Sequence, residues 1–423
     1  MARPAPLAVL PLANVLRSLV TTTVSSSPLL LPPSLAVMSA LANTTRPLLN
    51  PDRNPVLRFL LKKTFYAQFC AGENPAEVRR TVELLKGIGF AGVILGHARE
   101  VVLSEAQMKD LVSRNSGAAG DECVRDEVTP WARGTMETVR LASPGDFVAL
   151  KFTGAGRQAL YALSKRLPPP EALSSAIDEI CRLAADRGVR LLLDAEQQAL
   201  QPGIDDWYLE YMRKFNTADK AVVYGTYQAY LKATPSTLGR HLAAAREGGF
   251  ALGVKLVRGA YLGSDPRHLI HDTKADTDAA YDGLAEALLR RRWNDQLRPR
   301  GETGGPDAAF PNVGLVLATH NRESVLRAQA IVSAGGADCL DVAFAQLQGM
   351  ADEVSCELVA RGAGDGHPRT YKYLVWGSTG ECMKYLLRRA HENRDAVQRT
   401  RAGRDAMRAE LVRRIKKAFG FSA

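Results

Sequence analysis

The chain has 423 residues, 46% of them hydrophobic and 24% charged, the make-up of a globular protein large enough to bury a sizeable core. Its net charge of +10 sits at the two ends: residues 1–50 hold Arg3, Arg17 and Arg46 and no acid, and residues 384–423 hold twelve Lys/Arg against four Asp/Glu. The body between them is close to neutral, which argues against nucleic acid as a partner, because a dedicated reader carries its basic face on the folded domain.

No acid occurs before Asp52, and TTTVSSS stands at 21–27. That composition predicts a mitochondrial transit peptide or disordered leader over 1–48, outside the fold. The uncharged run 18–45 raises the question of a membrane span, but Pro28, Pro32 and Pro33 argue against one continuous helix. From residue 49 a helical lead-in opens the main domain, expected over 49–402. Eight apolar runs follow: GVIL (92–95), FVALKFT (147–153), VRLLLDAE (189–196), AVVYGTYQ (221–228), ALGVKLVRG (251–259), VGLVLATH (313–320), DVAFAQLQ (341–348) and RTYKYLVWG (369–377). Most are nearly continuous in apolar residues, as strands buried on both faces require. Helix signals alternate with them. PPEALSSAIDEICRLAADRG starts on proline and closes on glycine, and TPSTLGRHLAAAREGG ends on Gly-Gly.

This order predicts an α/β chain, a (βα)8 barrel of TIM type or, failing that, an open doubly wound sheet. Residues 99–146 and 294–312 read as insertions, the second Gly/Pro-rich and mobile. Residues 403–423 read as a basic helix, either solvated or resting on anionic lipid. The six cysteines form no CxxC pair, which suggests buried, reduced thiols, and the seven histidines form no metal motif.

Polar residues fall at one relative place on the runs, at or just past their C-terminal ends: Lys151, Asp194, Gln228, Lys255 with Arg258, His320 and Tyr373. In a barrel those positions converge on one mouth, where sites are built. Gly154–Ala159 fits GxGxxA, but the next run ends at Asp194, too far on for a dinucleotide fold. No nucleophile with an adjacent base is evident, and GSTG (377–380) lacks the spacing of a nucleophile elbow. Cationic groups without a nucleophile suit an anionic ligand and point to a bound cofactor that does the chemistry.

VKLVRGAYL (254–262), LLLDAEQ (191–197), YGTYQAYL (224–231), ATHN (318–321), LQGM (347–350) and YLLRRAHEN (385–393), in this combination, resemble the proline dehydrogenase family in its mitochondrial eukaryotic form, over about residues 55–400. The resemblance implies a distorted (βα)8 barrel that binds FAD, oxidises L-proline to 1-pyrroline-5-carboxylate and passes electrons to ubiquinone, with possible contact to the inner mitochondrial membrane. It implies that Arg388 and Arg389 clamp the proline carboxylate, with Lys151 as a third cation and Glu392 pairing with either arginine. Tyr373, Tyr385 and Leu347 would wall the ring, and Asp194 would stand beside flavin and substrate. Gln228, Lys255, Val257, Arg258, Gly259, Ala260, Tyr261, Thr273, Lys274 and His320 match the FAD-contacting segments, with Gly259 letting the backbone approach the cofactor. Two departures stand out. After RGAYL the chain reads GSDPR (263–267) instead of a Glu-Arg pair, and Val375–Trp376 replaces a proline that the family often has two residues after the site tyrosine. A related dehydrogenase of another cyclic amino acid, such as hydroxyproline, is the near alternative, and a barrel scaffold without catalysis the distant one.

Overall fold

The computed structural model describes residues 5–44, 46–98, 120–299, 308–361, 369–395 and 397–420. All eight apolar runs form strands: β1 Gly92–His97, β2 Phe147–Leu150, β3 Arg190–Leu193, β4 Val223–Gln228, β5 Leu252–Val257, β6 Val313–Ala318, β7 Asp341–Leu347 and β8 Arg369–Trp376. They close into a parallel barrel in sequence order. The two helices read from their end signals also form, as Glu171–Asp186 and Thr234–Gly248. Two compact units divide the chain. One comprises residues 94–345 and 365–369; the other comprises 1–93, 346–364 and 370–423.

In the first unit, cross-strand register arranges the inward side chains in rows. Leu192, Tyr224, Gly253 and Gly314 are register mates on β3 to β6. The Tyr224 ring lies across both glycines, where any Cβ would collide with it. This plugs the barrel below the mouth. One step towards the C-terminal ends, the same register aligns Thr226, Lys255, Val316 and Ala343. Carried past the ends of β2 and β3, it adds Lys151 and Asp194 to that row. The next row holds Gln228, Val257, Ala318 and Ala345, mostly small side chains.

Two expected insertions are partly structural. Residues 99–119 lie outside the described residues, but Thr129–Leu141 is a helix whose Trp131 donates to the Lys151 carbonyl at 3.0 Å. Of 294–312, residues 300–307 lie outside the described residues; the flanks are pinned by Leu297, fully buried, and by Asn294, which donates to the Gly283 carbonyl at 2.8 Å.

In the second unit, β8 is anchored on both sides. The Ala71 amide donates to the Val375 carbonyl at 2.8 Å and the Ala91 amide to the Thr370 carbonyl at 2.9 Å. Lys372, buried, pairs with Asp352 at 2.7 Å. The stretch taken as a leader is here two helices, Leu12–Ser26 and Leu31–Asn43, bent by 105° where the Ser27–Leu30 turn joins them. The first packs against the C-terminal helix Val397–Ala418, whose Arg414 donates to the carbonyls of Leu7 and Leu10 at 3.1 and 2.7 Å. An acid-free composition says nothing about such packing: small residues let two helices approach closely, and neutral ones do so without burying a charge.

Candidate active site

The strongest feature of the first unit is an ion-paired row across the barrel. Asp194, just past β3, accepts from the Lys151 ammonium at 2.7 Å and from the Lys255 ammonium at 2.6 Å. Asp194 and Lys255 are each 6% exposed. Burial opposes the Asp194 charge, but the two ammonium groups outweigh it and hold the carboxyl well below the ordinary range. The same burial pulls the Lys255 ammonium below the ordinary lysine value, with Asp194 opposing. The row therefore carries a carboxylate that stays ionised and one excess positive charge. Lys151, expected as a third cation for the substrate carboxylate, is paired with Asp194. Its neighbour Thr153 is held by Glu196, a buried carboxylate that accepts from both the Thr153 amide and its hydroxyl.

Above this row, Gln228 ends β4. Its Oε1 accepts from the Ala260 amide at 3.0 Å, while its buried Nε2 donates to no group among the described residues. Val257 ends β5. Arg258 follows it and pairs with Asp278, which also takes the Lys274 ammonium at 2.6 Å. Asp278 was not singled out in the sequence, although it lies four residues after Lys274 on the first turns of one helix, the spacing at which such pairs form. Thr273 caps that helix through a capping box with Asp276. Tyr261 donates to the Ala195 carbonyl at 3.3 Å, which ties the loop after β5 to the loop after β3. His320, two residues past β6, is half-buried. Gly259 has a reason other than the expected approach of a cofactor: a Cβ there would fall inside the Tyr230 ring.

The second unit carries the other group. Leu347 ends β7, and Tyr373 lies on β8 with its carbonyl accepting from the Gln348 amide at 2.9 Å. Tyr373 points to the opposite face of β8 from Lys372. Tyr385, Arg388 and Arg389 share the helix Thr379–Asp395. Arg389 is buried, and its guanidinium lies 5.0 Å from the Tyr385 ring centroid, so one side of the cation is set by an aromatic wall. Arg388 is half-buried. The Glu392 side chain lies outside the described residues. The start of the helix is fixed by Glu73, which accepts from the Thr379 amide and hydroxyl at 2.9 and 2.6 Å and pairs with Arg58 and Lys62. Burial alone would raise Glu73, but these donors hold it at about 2. Val375, standing where the family often has proline, is buried and bridged to Cys70; Trp376 beside it is buried too.

The family model for proline dehydrogenase matches residues 78–402. The chain belongs to the proline dehydrogenase family. That match encloses every candidate residue named above. "Probable proline dehydrogenase, mitochondrial" of Schizosaccharomyces pombe is 29% identical, over 86% of this chain and 81% of that one. "Proline dehydrogenase 1, mitochondrial" of Dictyostelium discoideum is 30% identical, over 81% of this chain and 63% of that one. A family member named for another substrate, "Hydroxyproline dehydrogenase" of Rattus norvegicus, is 28% identical over 84% of this chain and 83% of its own. Among solved structures, proline utilization A from Bdellovibrio bacteriovorus, inactivated by N-propargylglycine, superposes with a TM-score of 0.62. That likeness, at 19% identity over 88% of this chain and 36% of that one, is one of fold.

Proposed function

We propose that this chain oxidises L-proline to 1-pyrroline-5-carboxylate in mitochondria, as the first step of proline breakdown, with FAD as its cofactor and ubiquinone as the electron acceptor. The observation that carries the reading is the buried row Lys151–Asp194–Lys255 beneath the orphaned Gln228 Nε2. That donor asks for an acceptor from outside the chain. Small side chains surround it in its row, and the cations Arg258 and Lys274 stand on the adjoining loop and helix. These residues fit a flat heterocycle bearing carbonyl oxygens and a phosphate tail: Gln228, Lys255 and the loop 257–261 would hold the ring, and Arg258, Thr273, Lys274 and His320 the remainder. FAD, when bound, supplies the acceptor for the two electrons lost by the substrate.

The chain's own groups position and exclude. Proline gives up a hydride from C5 and a proton from its ring nitrogen. Arg388 and Arg389 bind the carboxylate, and the Tyr385 ring holds the Arg389 fork in one orientation. Tyr373 and Leu347 supply apolar walls that keep water off the ring. Asp194 stays anionic at every working pH, so it acts as a fixed charge and not as a base. The proline substrate is favoured by the family's own name and by the first relatives; the rat hydroxyproline relative, nearly as similar, keeps the 4-hydroxy analogue as the second reading.

The test is the visible spectrum of the purified chain before and after L-proline. Flavin bands that bleach with proline support the reading. Bands that bleach only with hydroxyproline move the substrate to the second one, and a colourless chain that FAD cannot reconstitute removes both.

A further inference from the structure

The loop after β5 carries the departure GSDPR (263–267), and both of its charged side chains are engaged. Arg267 donates to the carbonyls of Ile270, His271 and Asp272 at 3.1, 2.9 and 2.8 Å, which fixes the return of the loop just ahead of the Thr273 cap. Asp265 is 7% exposed, although Ser264 and Pro266 on either side of it are exposed. One of its oxygens accepts from the Tyr230 hydroxyl at 2.6 Å, on the segment after β4. The other accepts from the Gln198 amide at 3.1 Å, in the loop after β3. Three loops that are far apart in sequence therefore meet at one carboxylate. The Asp265 amide in turn donates to the Tyr261 carbonyl at 2.8 Å, and the Tyr261 hydroxyl makes a second tie to the loop after β3, at Ala195.

In the barrel β4 stands between β3 and β5. The two ties thus close a bridge across the end of β4, where Gln228 is 3% exposed and accepts from the Ala260 amide. The donors that reach Asp265 are neutral. Burial first, and the Asp265 carboxylate after it, push the Tyr230 phenol up, so it keeps its proton and stays a donor. A buried carboxylate served by neutral donors has no partner charge for salt to screen. Nearby Lys232 and Asp272, paired at 3.2 Å with both side chains exposed, are the opposite case. The bridge is therefore a fixed tie and not a salt-sensitive latch.

We propose that Asp265 pins the loops after β3 and β5 into a permanent strap across the end of β4, and that this strap slows release of the cofactor held by Gln228, Lys255 and the loop 257–261. The proposal rests on the FAD reading above and makes Asp265 a positioning residue, acting through Gln198 and Tyr230. The test is release of FAD from the purified full chain on dilution, read by the rise in flavin fluorescence. Amide hydrogen exchange over 196–200 and 259–266 in the FAD-loaded chain without substrate accompanies it. Asp265→Asn keeps the side chain's size but turns one acceptor into a donor facing a donor. Release should become about tenfold faster or more, with exchange rising over both loops. Tyr230→Phe should have a smaller effect, since the Gln198 amide is still held, and the double variant should release no faster than Asp265→Asn. Raising salt about tenfold should leave release by the parent unchanged.

Four results overturn the proposal. Asp265→Asn may be matched by the parent in its release rate, or its exchange may rise evenly over the whole chain, which makes Asp265 an ordinary stability contact. High salt may speed release by the parent, or added proline may raise exchange in the two loops, which makes the strap a lid that substrate moves. A parent chain that takes up no FAD removes the FAD reading and the proposal together. Flavin-loaded variants that release at the parent's rate remove the proposal alone.

Discussion

Replacing Asp194 by Asn removes the one anion shared by Lys151 and Lys255 while keeping its shape. Lys255 is then a cation at 6% exposure without its carboxylate. Breaking a buried pair by removing one partner costs roughly 3–5 kcal/mol, a large share of a typical total stability of about 5–15 kcal/mol. Urea unfolding followed by tryptophan fluorescence reads the loss, and its pH dependence carries the sharper signature. Burial holds the folded-state pKa of Lys255 below its unfolded value, so the unfolded chain binds more protons between the two and stability rises with pH through that window. Loss of Asp194 lowers the folded value further and widens the window downward. The variant should therefore regain stability as pH rises from neutral into the alkaline range, more steeply than the parent. Asp194→Asn/Lys255→Met should be more stable than Asp194→Asn alone, since the more deeply buried of the two stranded cations is gone and only the better exposed Lys151 remains. A single variant within about 0.5 kcal/mol of the parent, with an unchanged pH slope, refutes the reasoning, because an exposed or water-screened triad behaves that way.

Three further outcomes follow from other contacts. Glu73, held at about 2 against an ordinary value of 4.5, contributes stability that is full above pH 4.5 and lost as pH falls towards 2; Glu73→Gln should flatten that acid limb in a thermal-unfolding series and raise KM for proline, since the helix bearing Arg388 and Arg389 loses its anchored start. Arg389→Met keeps the stem over Tyr385 but deletes the fork, and should weaken proline binding by about 1.5–3 kcal/mol in a bleaching titration, with the flavin content unchanged. Gly259→Ala forces a methyl into the Tyr230 ring, costing about 1–3 kcal/mol of stability and lowering flavin retention on gel filtration; Tyr230→Ala in the same chain should restore part of both, which a role for Gly259 in cofactor approach alone would not predict.

The strands were legible because the signal for them is local. A run such as VRLLLDAE declares burial on both faces, and Gly or Pro closes the helices between, so β1 to β8 follow from patterning. The identities at the strand ends were legible too: Lys151, Asp194, Gln228 and Lys255 stand out because charged or polar groups interrupt apolar runs. Their pairing was not. Lys151 and Lys255 lie 43 and 61 residues from Asp194, and only the cross-strand register sets all three in one row. The part of Asp278 was hidden for the same reason, since an acid on a helix surface gains meaning only when Arg258 is folded over it. Gly259 was read as room for a ligand, and the sequence did not show its packing reason: a Cβ there would collide with Tyr230, 29 positions earlier in the sequence. The first 48 residues show the limit of composition most clearly. Composition is averaged over a segment and is blind to which face of a helix is covered, so the sequence by itself determined that this stretch is apolar and acid-free. Only the tertiary structure decided that its serines face inward and its leucines outward, because that depends on where the C-terminal helix lies.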